Sequence, residues 1–404
     1  MRKLCRISCW MVGLILLLTV QSSAQDSSQL MVQAKPIKQK QVVTFLLPLY
    51  LDSAFDATGQ YRFGKQFPRY FLPGLEFYEG VQLAIDSLNK EHVELDVNVL
   101  DTRSGKSITT LIQDPAVQDA SLLVGHISNN EIRPLADFAN KNQVPFINVN
   151  IPNDAGVTNN PYMVILNSTL ASHAEGIYNY LEKKMNAATS ILVFTKNGTQ
   201  EARLKTYLTD VENSKPGSKL KLKYITLPAN FQATNLLPYL DSNKTTIAVA
   251  GSLDVQFARK LAGELAVLSK TYPVQVMGMP TWDGIRDFEE EEYRDLEIMY
   301  TIPFNPIRTD SLSSSINTYF RDKLYSRPSD MVFRGYEVMY RFGKMVAEQG
   351  ANLALGLGEK KYQVFTDFDI QPVLLNKQQQ QLDYFENKKV YVVRLLNGTV
   401  TTVN

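Results

Sequence analysis

The chain has 404 residues, with 42 Lys and Arg against 41 Asp and Glu, and 44% of its residues are hydrophobic. This hydrophobic share excludes an intrinsically disordered chain, and 21 Gly and 18 Pro exclude a collagen-like or linker sequence. A formal net charge of +1 gives no support to a nucleic-acid-binding protein, which normally carries a basic excess. The two cysteines, Cys5 and Cys9, both lie in the first nine residues.

The N-terminus has the pattern of a cleavable secretory signal. A positively charged stretch at 2–6 precedes the uncharged apolar run Cys9–Val20, and Ser22–Ala24 offers the small residues that a signal peptidase recognises. The apolar run is shorter than the ~20 residues that a transmembrane helix needs. A buried N-terminal helix is the alternative, and the polar stretch that follows argues against it. We predict a signal peptide over 1–24, cleaved after Ala24, and a polar leader over 25–41.

Cleavage would leave 380 of the 404 residues and no cysteine. Three of the 42 basic residues would be lost, which changes the net charge from +1 to −2. Thiol catalysis, disulfide exchange and cysteine-based zinc sites are therefore excluded, and hydrophobic cores must stabilise the mature chain. The predicted location is periplasmic or secreted, without a lipoprotein cysteine, and no later segment is apolar enough for the mature form to span a membrane.

In the first part of the chain, short apolar runs alternate with helical patterns, which is typical of parallel β/α layers. Apolar residues at helical spacing predict helices over 77–88 and 132–139. The predicted strands are Val42–Leu49, Val93–Leu100, Ser121–Gly125, Val144–Val149 and Tyr162–Leu166.

The same alternation then restarts. Helical spacing recurs over 170–181, 257–268 and 333–346, and Asn397-Gly398 predicts a hairpin turn in a β-rich tail. The segments 122–128 and 247–252 share one pattern, which indicates two similar α/β lobes with a ligand cleft between them. The predicted strands are Ser190–Thr195, Leu220–Thr226, Thr246–Ala250, Val274–Gly278 and Leu296–Ile302.

The sequence contains no recognised catalytic, phosphate-binding or EF-hand motif. Its three histidines, His92, His126 and His173, have no partner at metal-ligand spacing and are interpreted as surface or cleft-edge residues. We therefore expect no catalytic residue, no metal site and no cofactor. A carboxylate pair from distant segments, as in glycoside hydrolases, remains an alternative.

Two features stand out as candidate ligand contacts. The loop 52–71 interleaves six aromatic residues with three basic ones, so that Tyr61 would stack on a ligand and Arg62 would pair with its carboxylate. The alternative is that these aromatic residues fill the core of the first lobe. Trp282 follows a predicted strand of the second lobe, where it would form a wall of the cleft or pack in the interior.

Several segments resemble type 1 periplasmic binding proteins, and in particular the branched-chain amino-acid receptors of ABC transporters. They cover most of 42–404 in order, and the long first loop resembles that of extracellular ligand-binding receptors in Bacteroidetes-type bacteria. The segments that carry the resemblance are Phe77–Asn89, Leu122–Ser128 followed by Arg133–Ala136, Val144–Asn148, Tyr162–Thr169 and the tail segment Asn387–Tyr391.

The resemblance implies two Rossmann-like lobes with parallel sheets, joined by three hinge crossings. The expected crossings are near Leu166–Thr169, Thr301–Pro306 and Gly350–Lys361. Lobe 1 would then comprise 42–166 and 303–350, and lobe 2 would comprise 167–302 and 360–404.

The resemblance also implies which residues bind the ligand. Ser128 would bind a ligand carboxylate, with Asn129 beside it and Asn150 facing the ligand. Asp283 would meet an α-ammonium group. The remaining implied contacts in lobe 2 are Thr199, Ser252 and Trp282.

The sequence departs from the amino-acid binders at Asn148–Pro152, where they have small residues and threonine, and near Thr199 and Ser252, where they have tyrosines. An amino-acid ligand therefore does not follow from the resemblance. The leading hypothesis is a non-enzymatic solute receptor that closes on a small polar ligand and passes it to an ABC transporter permease or another envelope protein. The alternatives are an envelope module that binds peptidoglycan fragments, glycan or a partner protein, and an unrecognised secreted hydrolase.

Overall fold

The computed structural model describes residues 40–217, 219–375 and 381–403. The predicted signal peptide and most of the predicted leader lie outside these ranges, and the first strand begins at Gln41, inside the predicted leader. None of the helices in these ranges combines the length and the apolar character needed to cross a membrane.

The strands of the described residues are β1 (Gln41–Leu47), β2 (Leu95–Asp101), β3 (Leu122–Gly125), β4 (Phe146–Asn148), β5 (Met163–Ile165), β6 (Thr189–Thr195), β7 (Lys223–Thr226), β8 (Thr245–Ala250), β9 (Val274–Met277), β10 (Glu297–Ile302), β11 (Ile370–Val373), β12 (Tyr384–Asn387), β13 (Tyr391–Leu396) and β14 (Thr399–Val403). Each of the ten predicted strands overlaps one of β1 to β10, and β13 and β14 form the hairpin predicted around Asn397-Gly398.

The α-helices of the same ranges are α1 (Leu51–Ala54), α2 (Leu72–Lys90), α3 (Ile108–Leu111), α4 (Pro115–Gln118), α5 (Asn129–Asn142), α6 (Leu170–Lys184), α7 (Thr199–Ser214), α8 (Ala233–Leu236), α9 (Val255–Leu268), α10 (Ser311–Tyr319), α11 (Asp330–Gln349) and α12 (Leu353–Gly356). The longer ones carry their apolar residues on one face, and these residues are buried against the sheets.

The strands form two seven-stranded sheets, one in each lobe. Sheet 1 has the order β11-β12-β5-β4-β3-β1-β2, and sheet 2 has the order β14-β13-β10-β9-β8-β6-β7. Pairing is parallel except where β11 meets β12, where β13 meets β10 and where β14 meets β13. The predicted α/β fold with two parallel-dominated lobes is therefore confirmed.

Helices α2 and α11 pack on each other beside sheet 1 at a distance that only glycine allows. A Cβ atom at Gly335 would lie 2.0 Å from the carbonyl oxygen of Phe77, and one at Gly80 would lie 1.9 Å from that of Val332. The two backbones are thus in direct contact. This packing fixes α11, and with it the side chains that α11 directs toward the space between the lobes.

Within the described residues, the chain passes between the two sheets three times. Crossing 1 spans 166–169 after β5, and crossing 2 begins at residue 303 after β10, both where they were expected. Crossing 3 spans 388–390, between β12 of sheet 1 and β13 of sheet 2, so the crossing predicted near 350–361 is wrong.

The predicted assignment of all of 360–404 to lobe 2 is therefore also wrong. Strand β12 pairs in parallel with β5, and β11 pairs with β12, so both strands extend sheet 1. Only β13 and β14 of this segment join sheet 2. Strand β12 has two aromatic residues followed by the buried residues Glu386 and Asn387, so its sequence lacks the apolar pattern that predicts a strand.

Candidate functional site

A cavity of about 440 Å³ lies between the two lobes. Lobe 1 contributes the loop after β4 and one side chain of α11. Lobe 2 contributes the loops after β8 and β9, the end of β10 and parts of α6 and α7. Crossings 1 and 2 complete the lining. The lining residues are Pro152, Asn153, Asn167, Ser168, Leu170, His173, Gln200, Leu253, Pro280, Thr281, Asp283, Thr301, Ile302, Pro303 and Arg334.

The position of this cavity follows from the direction of the strands. Most strands of each sheet are parallel, so their carboxyl ends share one edge, and the loops that follow them face the space between the lobes. After β9, for example, a 3₁₀ turn over Pro280–Gly284 brings Thr281 and Asp283 to the cavity. A volume of this size falls within the range of small-molecule sites, roughly 300–1,000 Å³.

Two opposite charges face the cavity from opposite lobes. Arg334 extends from α11 of lobe 1, with its guanidinium 4.3 Å from the ring centroid of Phe304 and its buried Nε without a hydrogen-bond partner. Asp283 extends from lobe 2, where its side chain is exposed at the cavity, and partial desolvation by the surrounding protein raises its pKa while the positive charge of Arg334 partly opposes that effect. The salt bridges found among the described residues include neither side chain. Each charge is thus available to a ligand.

The cavity also has neutral hydrogen-bonding groups. His173 is buried in α6, and its Nδ1 lies 2.8 Å from Oγ1 of Thr301. Burial lowers the pKa of His173 to about 3, so this imidazole is uncharged at neutral pH. His126 directly follows β3 and is not a lining residue; it is also uncharged at neutral pH, because burial lowers its pKa to about 4. Within the described ranges, no group of three or more His, Cys, Asp or Glu side chains has the arrangement of a metal site.

The predicted contacts of lobe 1 do not line the cavity, and each is hydrogen-bonded to another group of the same lobe. Ser128 begins α5, where its hydroxyl donates to Asn130 Oδ1 at 2.6 Å and its N–H donates to Glu131 Oε2 at 2.7 Å. The side-chain amide of Asn150 bonds both the N–H and the C=O of Ile127, at 2.9 and 2.8 Å. Asn129 accepts a hydrogen bond from Asn153, which does line the cavity.

In lobe 2, two predicted contacts, Ser252 and Thr199, also lie outside the cavity lining. Ser252 is buried, and its hydroxyl donates to Glu201 Oε1 at 2.6 Å, which joins the loop after β8 to α7. Thr199 is exposed at the start of α7, and the next residue, Gln200, lines the cavity. Of the nine predicted ligand contacts, Asp283 is the one that lines the cavity. In the loops after β4 and β8, the neighbouring residues Asn153 and Leu253 line the cavity in place of the predicted Asn150 and Ser252.

The prediction that Trp282 forms a wall of the cleft is wrong. Its side chain is 1% exposed and packs in the core of lobe 2, with its ring centroid 4.9 Å from that of Phe288. The ring covers Gly278, where a Cβ atom would lie 2.1 Å from it. The indole thus anchors the turn that presents Asp283 to the cavity.

The loop after β1 also differs from its predicted roles. Tyr61 donates its hydroxyl hydrogen to the carbonyl of Gln66 at 2.8 Å, and Arg62 Nε donates to the carbonyl of Phe55 at 2.9 Å. Neither residue lines the cavity. The aromatic rings of this loop contact one another, and only Phe71 among them is buried, so the loop neither lines the cavity nor fills the core of lobe 1.

Sequence reasoning did not name Arg334 or Thr301 as cavity residues, and it interpreted His173 as a surface or cleft-edge residue without a role in binding. A signal for Arg334 was present, because Arg334, Glu337 and Arg341 follow one another at spacings of three and four residues on a helix that is otherwise rich in apolar residues. Charged residues are rarely buried without a partner, so a charged stripe on a core helix indicates a polar site or a buried network.

The structure is similar to those of solved substrate-binding proteins, and it has the type 1 periplasmic-binding fold that the sequence resemblance predicted. A protein from Rhodospirillum rubrum, described as a branched-chain amino-acid ABC transporter, matches with a TM-score of 0.63 and 10% identity over 90% of this chain and 100% of that one. A branched-chain amino-acid ABC transporter periplasmic ligand-binding protein from Burkholderia xenovorans matches with a TM-score of 0.57 and 13% identity, over 91% and 95% of the two chains.

An ABC transporter substrate-binding protein from Desulfitobacterium hafniense, solved in complex with Leu, matches with a TM-score of 0.53 and 13% identity, over 90% of this chain and 99% of that one. No family model and no curated protein matches the sequence. At 10–13% identity the three structures establish the fold, and the ligand has to be argued from the residues of this chain.

Proposed function

We propose that this protein is a solute-binding receptor that captures a small polar solute in the cavity between its lobes. The observation that carries the proposal is that both lobes and two of the crossings contribute to one cavity of about 440 Å³. A solute bound there contacts both lobes at once, so it favours the conformation in which the lobes are close together.

The two free charges suggest the chemistry of the solute. Arg334 offers a guanidinium that pairs well with a carboxylate, and Asp283 offers a carboxylate that pairs with an ammonium group. A solute with both groups, such as an amino acid or a similar small molecule, would satisfy both side chains and separate them from each other. His173 and Thr301 would add hydrogen bonds without a further charge.

The proposal includes export and a membrane partner. The N-terminal sequence has the pattern of a secretory signal, so the mature protein would act in the periplasm or outside the cell. There it would deliver its solute to an ABC transporter permease or to another envelope protein.

One observation favours a second function, that of a module binding envelope material. Leu51, Phe55, Phe67 and Tyr70 of the loop after β1 are each 42–49% exposed, which leaves apolar surface on lobe 1. Exposed apolar clusters often mark contacts with other molecules. This surface would bind its target without any change in the distance between the lobes.

The test is a thermal-shift screen against amino acids, short peptides and small organic acids, followed by calorimetric titration of each hit. Arg334→Gln and Asp283→Asn should each weaken binding about 10- to 100-fold, because a hydrogen bond to a charged group contributes about 1.5–3 kcal/mol. Arg203→Gln and Asp295→Asn change exposed residues of the same types in lobe 2 and should leave the affinity unchanged. Equal affinity in all four variants would exclude the proposed site, and retention on peptidoglycan without any small-solute hit would favour the second function.

A further inference from the structure

The three crossings meet at one buried side chain. Asn387 is the last residue of β12, directly before crossing 3, and its side chain is fully buried. Its Nδ2 lies 3.2 Å from the carbonyl oxygen of Leu166 in crossing 1, 3.4 Å from that of Pro303 in crossing 2 and 3.4 Å from that of Lys389 in crossing 3. One amide group therefore contacts all three connections between the lobes.

The orientation of this amide is defined by its partners. Oδ1 of Asn387 accepts from the backbone N–H groups of Asp369 and Lys389, at 3.1 and 3.2 Å, and Nδ2 faces only carbonyl oxygens. Exchanging the oxygen and the nitrogen would place donors against donors and acceptors against acceptors. Because Nδ2 has two hydrogens and three carbonyl neighbours, the three crossings share its donor capacity.

Neighbouring side chains reinforce the same junction. Ser168 of crossing 1, also fully buried, donates its hydroxyl hydrogen to the carbonyls of Asn387 and Lys389, at 2.7 and 3.1 Å. Glu386 accepts from the N–H of Thr169 at 2.8 Å and pairs with Lys388 of crossing 3 at 2.5 Å. Crossings 1 and 3 are thus held to each other by side chains as well as by the strands they leave.

The junction adjoins the cavity, because Ser168 and Pro303 both line it. A solute bound in the cavity can therefore contact the same segments that bend when the lobes move. Hinge residues typically lie at the ends of strands and helices and absorb the change in backbone angles.

We propose that Asn387 is the positioning residue of the hinge: its side-chain amide couples the three crossings so that they bend together and set the distance between the lobes. Without this amide crossing 2 would lose this link to crossings 1 and 3, and the lobes would sample a wider range of distances. This role depends on the connections between the lobes and on no particular ligand.

The test measures the distance between the lobes in the ligand-free protein by electron–electron double resonance. Spin labels are placed at Lys141→Cys in α5 and Lys205→Cys in α7, both exposed, in the full chain with Cys5 and Cys9 replaced by serine. Asn387→Ala should broaden the distance distribution and move its mean. Because no solute is added, a failed ligand screen leaves this result interpretable.

Asn160→Ala is the matched control. Asn160 is equally buried, and its amide also bonds backbone groups, but its partners Ala136 and Tyr162 both belong to lobe 1. It should lower the melting temperature and leave the distance distribution unchanged. Ser168→Ala, which removes one hydroxyl from the junction, should broaden the distribution less than Asn387→Ala does.

The proposal is overturned if Asn387→Ala folds and gives the same distribution as Asn160→Ala. If Asn387→Ala does not fold, Ser168→Ala decides, and a distribution identical to that of the parent protein overturns the proposal.

Discussion

Replacing Gly335 by alanine should separate α2 from α11 and destabilise lobe 1. The added Cβ would lie 2.0 Å from the carbonyl oxygen of Phe77, whereas ordinary van der Waals contacts begin at 3.4 Å. Because the opposing atom belongs to the backbone of α2, relief requires the helices to move apart by more than 1 Å. Overpacking of this kind costs about 1–3 kcal/mol, and alanine regains about 1 kcal/mol of helix propensity. The upper end of the overpacking range applies because the clash is with backbone, so we expect a net loss of about 2 kcal/mol in the free energy of unfolding.

Gly343→Ala in the same helix is the control. Its Cβ would lie 3.2 Å from the ends of the side chains of Leu88, Leu95 and Met339, which can shift by a few tenths of an ångström. The gain in helix propensity should then leave its stability within about 1 kcal/mol of the parent protein. Urea unfolding measures both variants through the transition midpoint at constant slope. Equal stability of the two variants would refute the conclusion that backbone contact limits the approach of the helices.

The remaining predictions concern two buried titratable side chains and the third crossing. Burial raises the pKa of Glu337 to about 7, so the native state favours the neutral carboxyl group. The free energy of unfolding should therefore fall as the pH rises from about 4.5 to 7, by at most about 1.4 kcal/mol per pH unit. Urea titrations at each pH should show that Glu337→Gln removes this contribution. The pH dependence has the opposite sign for His173, because burial lowers its pKa to about 3. The free energy of unfolding should fall as the pH drops below 6.5. A His173→Asn variant with the same acid dependence as the parent protein would contradict this prediction. At Gly176 a Cβ would lie 2.2 Å from Cγ2 of Val390 in crossing 3, so Gly176→Ala should lower the melting temperature and adding Val390→Ala should restore it; no recovery would argue against this contact.

The strands of both lobes were predictable because parallel strands buried on both faces appear as continuous apolar runs. Val42–Leu49 and Thr246–Ala250 are examples, and the observed strands Gln41–Leu47 and Thr245–Ala250 differ from them by at most two residues at either end. The pattern that restarts after crossing 1 also indicated two lobes correctly.

Crossing 3 was not predictable by the same reasoning. Strand β12 contains two aromatic residues followed by Glu386 and Asn387, and β11 contains Pro372, so neither has the apolar or alternating pattern of a strand. The polar residues are buried there because they bond the crossings, which is a tertiary role that no local pattern encodes. The misplaced crossing at 350–361 and the wrong lobe for 370–387 both follow from this.

Strand direction predicts which ends of the sheets face the cavity, and it does not predict which side chains line it. The loops after β4, β8 and β9 line the cavity because strand direction determines where they end. Whether a hydroxyl or amide in such a loop faces a ligand depends on which neighbouring protein groups it bonds instead. Ser252 donates to Glu201, and Asn150 bonds Ile127, so each stabilises its own loop. Arg334 reaches the cavity from α11, and this helix is far along the chain from the loops that Arg334 faces.

The central claim is that a small solute binds between the lobes and brings them together. The most direct measurement combines native mass spectrometry of the freshly purified protein, which identifies any solute it retains, with small-angle X-ray scattering before and after that solute is removed. We predict a smaller radius of gyration with the solute bound, and loss of the bound mass in Arg334→Gln. A solute that remains bound in Arg334→Gln and Asp283→Asn, or that binds without any change in the radius of gyration, would contradict the account.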